Sequence, residues 1–133
     1  MAVIGFSQGG GGVLALVAKQ EDVEYLKVVK KGQKIPFAGA VAFYPACTLS
    51  PPPIKLTIPT QIHLAGDDTL ALIGFCIPLD DPLYDVHKYA GATHAFDVSI
   101  PSTVRLNFSH QYDPNTAKDS QDNTKKFLDK LLK

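Results

Sequence analysis

Short apolar segments alternate along the chain with stretches whose apolar residues recur at helical spacing. The first pattern is typical of strands and the second of helices. It predicts four strands, at residues 2–6, 38–44, 60–65 and 84–90. It predicts helices at residues 10–19, near 22–31, near 70–77 and at 116–132. Because strands and helices alternate, we expect an α/β fold with a mostly parallel sheet of about four strands flanked by helices.

Two of these elements indicate their place in the fold. The segment from Ala38 to Tyr44 is apolar on both faces, which is typical of a central parallel strand. The last helix has one largely apolar face, formed by Ala117, Thr124, Phe127, Leu128, Leu131 and Leu132. Its opposite face is charged and carries Lys125, Lys126, Asp129 and Lys130. We interpret this helix as a cover for the sheet, and a helix that binds a partner or a membrane is the alternative.

The composition is that of one globular domain, which we place at residues 1–133. The 13 basic and 13 acidic residues leave no net charge, so we expect no binding to nucleic acid or to a charged membrane. The apolar stretches are far shorter than the roughly 20 residues that a membrane span needs.

The run Gly5-Phe6-Ser7-Gln8-Gly9 has the form G-x-S-x-G and stands between the first strand and an apolar helix. This arrangement is typical of a nucleophile elbow, a sharp turn that exposes a serine oxygen near a base and backbone donors. We expect Gly5 and Gly9 to keep side chains away from a close approach of the backbone. The N–H group of Gln8 would donate to the oxyanion. Ser7 is the predicted nucleophile.

The same glycine-rich tract has other interpretations. Gly10, Gly12 and Ala15 match the dinucleotide pattern G-x-G-x-x-A, but they would lie inside the helix start, and no strand ending in an acidic residue follows about 20 residues later. A phosphate-binding loop would need Gly-Lys before Ser or Thr, which does not occur here. The motif would also arise by chance in loops. We favour the elbow because a strand precedes the motif and a helix follows it.

A serine nucleophile in an α/β sheet needs an acid and then a histidine, each on a loop after a later strand. Asp67 and Asp68 follow the third predicted strand, and His94 lies in the loop after the fourth. A carboxylate fixes the imidazole tautomer, and the imidazole accepts the serine proton. We predict a triad of Ser7, Asp68 and His94, with Asp67 as the alternative acid. Alternatively, the two aspartates only shape a turn.

The other histidines are weaker candidates for a catalytic or metal site. His63 and His87 lie within predicted strands, and we place His110 in a polar loop. Their spacing from one another and from the cysteines matches no zinc pattern. Nucleophilic catalysis by a serine triad needs no metal or organic cofactor, so we expect none.

With these motifs the sequence resembles the dienelactone hydrolase family of α/β-hydrolases, over residues 2 to 132. The resemblance is carried by GFSQGG at 5–10, AVAFYP at 40–45, LAGDD at 64–68, GATHAFD at 91–97 and YDPNTA at 112–117. In that family the acid stands four residues before a proline that opens the next helix, and Leu72 occupies that position here. The resemblance implies a partial α/β-hydrolase fold with Asp68 as the triad acid.

Family members that hydrolyse dienelactone use a cysteine nucleophile and arginines that hold the substrate carboxylate. Here Ser7 stands at the nucleophile position, and Val98 stands soon after His94. Serine-bearing relatives resemble general carboxylesterases, so we expect a small-molecule carboxylic ester as the substrate and an acyl-enzyme as the intermediate. A related serine peptidase is the alternative, because amide hydrolysis uses the same triad.

Members of the family have several strands and helices before the elbow, including a strand whose following loop gives a second oxyanion N–H. This chain resembles the C-terminal half of that fold. The strand at 2–6 would then have a free edge, which favours pairing with another chain, and we expect a homodimer through this edge, a missing companion segment or a truncated sequence. The alternative is a catalytically silent half-domain, since one oxyanion donor is worth about 10²–10³ in rate.

In the family fold Cys47 and Cys76 would lie near the same edge of the sheet. A disulfide between them would indicate an oxidising compartment, and so a secreted or periplasmic protein. We favour two buried free thiols and a cytoplasmic location, and leave the oxidising alternative open.

Overall fold

The computed structural model describes residues 1–19, 36–46, 55–70, 82–105 and 108–133. Its main sheet has four parallel strands in the order β1-β2-β3-β4. These strands are β1 (Ala2–Phe6), β2 (Gly39–Phe43), β3 (Thr60–Ala65) and β4 (Tyr84–Tyr89). The other elements are helix α1 (Gln8–Val17), helix α2 (Pro114–Leu131) and an antiparallel hairpin of β5 (Thr103–Arg105) and β6 (Phe108–His110).

This architecture confirms the predicted α/β class and the parallel four-stranded sheet flanked by helices. The bounds of β1 and β3 are those predicted, while α1 and α2 each begin two residues earlier than predicted. The pattern does not predict the β5–β6 hairpin, because three-residue strands are too short to show an alternation. The helix predicted near 22–31 and nearly all of the one predicted near 70–77 lie outside the described residues.

One face of the sheet is aliphatic and packs against α1. Side chains alternate between the two faces along a strand, so Ala40 and Ala42 of β2 point to the same side. This side packs against α1 through two clusters, which together contain Val13, Leu14, Val17, Ala40, Ala42, Leu56, Ile62 and Leu64. Every residue of β2 is buried, which confirms its prediction as a central strand.

The opposite face carries a row of rings, one from each strand. In the register of the sheet Phe6 pairs with Phe43, Phe43 pairs with His63, and His63 pairs with His87. The neighbouring rings stack with centroids 4.8, 4.4 and 5.2 Å apart, in that order. We call these four side chains the ring ladder. It crosses the whole sheet, from the exposed Phe6 to the half-buried His87.

Helix α2 covers the middle of the ring ladder. Phe127 and Leu128 pack against the cluster that contains Phe43, and the hydroxyl of Thr124 lies 2.9 Å from Nε2 of His63. The helix therefore covers the sheet, as we expected from its apolar face. Leu132, which the sequence pattern places on that face, is exposed instead, because the helix ends before it.

His63, in the ring ladder, is fully buried within a network of polar side chains. Gln61 Nε2 donates to Asp85 at 2.8 Å, which turns Gln61 Oε1 towards His63 Nε2, at 3.0 Å. Because an amide oxygen only accepts, the imidazole carries its proton on Nε2, and Nδ1 lies 3.1 Å from the Tyr89 hydroxyl. Burial, with the neighbouring His87 adding to it, lowers the pKa of His63 from 6.5 to about 3. His63 is a neutral structural residue.

We expect His63 to make the fold sensitive to acid. The contribution of His63 to the free energy of unfolding is fully favourable above pH 6.5 and is lost as the pH falls towards 3. Over that window the His63 imidazole binds a proton in the unfolded chain but not in the folded chain. The free energy of unfolding then falls by about 1.4 kcal/mol per pH unit from this residue. Urea unfolding at neutral pH and at about pH 4.5 measures the fall, which should be about 3 kcal/mol smaller in His63→Gln. Equal falls in the two proteins would contradict this assignment.

Helix α2 begins at a capped N-terminus. Oδ1 of Asp113 accepts the N–H groups of Asn115 and Thr116 at 3.0 and 3.2 Å, and Oδ2 accepts the Thr116 hydroxyl at 2.7 Å. These bonds, from the Thr116 hydroxyl first, hold the pKa of Asp113 below its usual value. Pro114 occupies the first helical turn, where its missing N–H costs nothing. The cap and the proline explain why the helix starts two residues earlier than predicted.

We expect Asp113→Ala to lower the free energy of unfolding by about 1 kcal/mol, because it removes the acceptor for two backbone N–H groups. Asp113→Asn is the matched control, since asparagine caps a helix about as well as aspartate. Urea unfolding of the three proteins measures the difference. If the alanine and asparagine variants are equally stable, the cap has no energetic role.

Candidate active site

Three loops meet at one edge of the sheet because the strands run parallel and in register. Each loop follows the carboxyl end of a strand: Ser7 comes directly after β1, Asp68 comes three residues after β3, and His94 lies in the loop after β4. Tyr44 directly follows β2 at the same edge. Open α/β sheets generally bind ligands at the carboxyl ends of their strands.

Ser7, His94 and Asp68 form a continuous chain of hydrogen bonds. His94 Nδ1 lies 2.6 Å from Asp68 Oδ2, and His94 Nε2 lies 2.8 Å from Ser7 Oγ. Because a carboxylate only accepts, Nδ1 donates and Nε2 is left to accept the Ser7 hydroxyl proton. Asp68 and His94 are only 7% and 5% exposed, so water competes little for these bonds. The three side chains have the relative positions of a nucleophile, a base and an orienting acid.

Ser7 has a strained backbone, with φ 53° and ψ −119°. Residues other than glycine avoid this region unless their surroundings hold them there. The N–H of Ser7 donates to the Phe43 carbonyl at 3.0 Å, and its own carbonyl accepts from the N–H groups of Gly11 at 3.0 Å and Ala46 at 3.1 Å. Ser7 is also the N-cap of α1, yet its side chain makes no capping bond. The hydroxyl bonds His94 instead.

Two glycines make the turn possible. A Cβ atom on Gly5 would collide with the carbonyl of Gly9, and one on Gly10 would lie 3.0 Å from the Phe43 carbonyl oxygen. The prediction that Gly9 also avoids a close approach is wrong, because a Cβ atom there would meet no described atom within 4 Å. The carbonyl of Gly9, and not its α-carbon, is the group that approaches β1.

We expect Gly5→Ala to disrupt the elbow and Gly9→Ala to leave it intact. The first change places a methyl group against a backbone carbonyl, which should lower the free energy of unfolding by about 1–3 kcal/mol. The second adds a methyl group in open space within a helix, where alanine is more favourable than glycine. Urea unfolding of the two variants measures the contrast. Variants of equal stability would show that the close approach at Gly5 is unimportant.

Asp68, and not its neighbour, contacts the histidine. Asp68 Oδ1 accepts the N–H of Leu70 at 2.9 Å, which orients the carboxylate. Asp67 is exposed, and its backbone N–H donates to the carbonyl of Ala92 at 2.9 Å. This bond ties the acid loop to residues 91–97, which we call the histidine loop. Of the two candidate acids, the structure brings Asp68 to His94 Nδ1.

Hydrogen bonds from β6 and from the start of α2 anchor the histidine loop. Nε2 of His110 donates to the carbonyl of Ala95 at 3.0 Å, and the backbone N–H of Asp113 donates to the carbonyl of Phe96 at 2.9 Å. The prediction of a polar loop around His110 is wrong, because the residue ends β6 and is buried. Ala95 has a φ of 57°, so the chain turns sharply directly after His94.

Tyr44 is a residue of this site that the sequence analysis misses. It is buried and has a φ of 33°. Its ring meets the imidazole of His94 at an angle, with centroids 4.8 Å apart, and its hydroxyl donates to Asp97 Oδ1 at 2.7 Å. Burial and the bond to Asp97 raise the pKa of Tyr44, so the hydroxyl keeps its proton. The signal that would have found it is its position directly after the central strand.

The predicted oxyanion donor lies at the N-terminus of α1, next to Ser7. Gln8 is the first residue of that helix, so its N–H has no partner within the helix. The first turn carries no acidic side chain, and the helix dipole favours negative charge at this end. The position therefore suits a developing oxyanion.

The other residues that the sequence singled out lie apart from this site or outside the described residues. Gly10 and Gly12 lie inside α1, as we expected when we set the dinucleotide pattern aside. His63 and His87 belong to the ring ladder. Within the described ranges, no three His, Cys, Asp or Glu side chains are grouped so that they could hold a metal ion. The residues Cys47, Leu72 and Cys76 lie outside the described part of the chain.

Neither a scan against protein-family models nor a search of curated proteins gave a match to this chain. In the part of the chain that the structure describes, none of the helices combines the length and the apolar character that crossing a membrane requires.

Proposed function

We propose that this protein is a serine hydrolase that cleaves carboxylic esters. The observation that carries the proposal is the hydrogen-bonded chain from Ser7 Oγ through His94 to Asp68, with distances of 2.8 and 2.6 Å. A serine hydroxyl is a weak nucleophile without a base within reach. Here a base is within reach and is oriented by a buried acid. The strained backbone of Ser7 adds support, because such strain is concentrated at functional sites.

In the proposed mechanism Ser7 Oγ attacks the ester carbonyl carbon while His94 Nε2 takes the hydroxyl proton. Asp68 holds the proton on Nδ1 beforehand and stabilises the imidazolium that forms. Negative charge develops on the former carbonyl oxygen, and the N–H of Gln8 stabilises it.

The tetrahedral intermediate collapses when His94 gives its proton to the leaving alcohol, which leaves the acyl group on Ser7 as an ester. Water then attacks this ester with His94 again as the base, and the carboxylic acid and free Ser7 are released. The protein groups supply every proton transfer in this scheme, so the proposal includes no cofactor.

The proposal extends to a relationship with the dienelactone hydrolase family. Its support is the order of Ser7, Asp68 and His94 along the chain, on the loops that follow β1, β3 and β4 of the parallel sheet. Dienelactone itself is not the proposed substrate, because the nucleophile is a serine and Val98, which is uncharged and exposed, follows the histidine loop. Neutral esters of small carboxylic acids fit better.

The first test is hydrolysis of p-nitrophenyl acetate and butyrate by the wild type and by Ser7→Ala. We expect Ser7-dependent turnover, with a fall of at least about 10³-fold in Ser7→Ala. Asp68→Asn should fall by about 10²–10⁴-fold, because the imidazole loses its tautomer control. Asp67→Asn is the matched control on the same loop and should stay within about twofold, since Asp67 is exposed and does not hold the imidazole.

Covalent labelling is the more sensitive readout. Labelling needs only the attack of Ser7 and no release of product, so it detects an activated serine even where turnover is slow. A fluorophosphonate should modify Ser7 once, as read by mass spectrometry, and should not modify Ser7→Ala. A folded wild type that neither turns over nor reacts would contradict the proposal and favour a silent role in assembly. Parallel assays with p-nitroanilide peptides distinguish an esterase from a peptidase.

The homodimer predicted through the edge of the sheet is part of the proposal. Strand β1 pairs only with β2 among the described strands, and its Ile4 and Phe6 are 44% and 47% exposed. An unpaired strand edge favours association with another chain. Light scattering on the sample used for the assays measures the oligomeric state. A monomer at the assay concentration would contradict the homodimer and leave the proposed chemistry untouched.

A further inference from the structure

Three hydrogen bonds, from β6, from the start of α2 and from the end of β2, hold residues 95–97 of the histidine loop. Two are made to its backbone, at Ala95 and at Phe96, as described above. The third is made to a side chain, where the Tyr44 hydroxyl donates to Asp97 Oδ1 at 2.7 Å. Of the three anchoring residues, Tyr44 is the one whose ring also packs against the imidazole of His94, at 4.8 Å between centroids.

Tyr44 is itself held firmly. Its backbone N–H donates to the carbonyl of His63 at 2.7 Å, which ties it to β3. Its ring packs edge-on against Phe96, with centroids 5.5 Å apart, and the residue is only 3% exposed. The side chain is therefore held in place at the end of the central strand. Its contacts with His94, Phe96 and Asp97 in turn hold the histidine loop.

We propose that Tyr44 is a positioning residue for His94 and acts through the hydrogen bond from its hydroxyl to Asp97. The inference rests on the proposed function, because positioning His94 is useful only if the imidazole serves Ser7. The bond holds the C-terminal end of the histidine loop against the end of β2, and the tyrosine ring packs against the buried imidazole. Without the bond this end of the loop is free to shift, and the imidazole shifts with it. Proton transfer is sensitive to displacements well below 1 Å, so the loss falls on kcat.

Two single variants remove the bond from its two ends. Tyr44→Phe keeps the ring and removes the hydroxyl, and Asp97→Ala removes the acceptor. Each is expected to lower kcat for p-nitrophenyl acetate about tenfold and to leave KM unchanged, because Tyr44 is buried and offers almost no surface to a bound substrate. Both variants break the same bond, so the double variant is expected to match the single ones rather than to lose about 100-fold.

Asp97→Asn is the control that separates the bond from the charge. The amide keeps an acceptor oxygen for the Tyr44 hydroxyl but carries no charge, so kcat is expected to stay within about twofold of the wild type. If Asp97→Asn is as slow as Asp97→Ala, the charge of Asp97 is what matters, and the inference is overturned. Losses that add in the double variant, or a lower melting temperature with kcat unchanged, also overturn it, because a purely structural bond predicts those results.

A readout without turnover keeps the inference testable if ester hydrolysis is not found. The Nδ1 proton of His94, held by Asp68 at 2.6 Å, should give a downfield proton NMR signal. The signal is expected to broaden in Tyr44→Phe and Asp97→Ala and to persist in Asp97→Asn. An unchanged signal in all three variants overturns the positioning role. The expected changes without Ser7-dependent turnover would overturn the proposed function alone.

Discussion

In-register pairing of the four parallel strands is the constraint on which the site depends. The pairing that aligns Phe6, Phe43, His63 and His87 also aligns the carboxyl ends of their strands. The loops that carry Ser7, Asp68 and His94 therefore leave the sheet at one edge. A slip of one residue between two strands would send the ring of one of them to the opposite face and would displace its loop along the edge. The stacked rings oppose such a slip, because each has a partner only in the native register.

The two faces of the sheet stabilise the site in different ways. The aliphatic face includes the small residues Ala40 and Ala42 of β2, and α1 packs against it. This packing holds the start of α1, which directly follows Ser7, against the sheet. The strain of the Ser7 backbone costs about 1–3 kcal/mol, and the hydrogen bonds with Phe43 and Ala46 offset it. The face that carries the ring ladder is more polar and is covered by α2. Ser7 is thus held by α1 and β2, and the loop of His94 is held by contacts from the end of β2, from β6 and from the start of α2.

Local patterns explain which parts of the fold and site were predictable. The strands were predicted because five or six residues of apolar or alternating character leave a clear signal, whereas the three-residue strands of the hairpin do not. Ser7, Asp68 and His94 were predicted as a triad because residues of these types follow strands in the order that a serine triad needs. The roles of Gly9 and His110 were predicted wrongly, since what a residue approaches across the fold leaves no trace in its neighbours along the chain.

By itself the sequence determined the α/β class, the parallel strands and the three loops that converge at one edge, because each depends on local periodicity or on the order of motifs. Only the tertiary structure decided which aspartate bonds the imidazole and which imidazole nitrogen carries the proton. It alone revealed the contact between Tyr44 and Asp97, which lie 53 residues apart. Such contacts depend on side-chain directions to within an ångström, and those directions are set when the strands pair and the helices pack. The order of residue types along the chain therefore indicated which loops meet, and the packing of the chain decided which atoms bond.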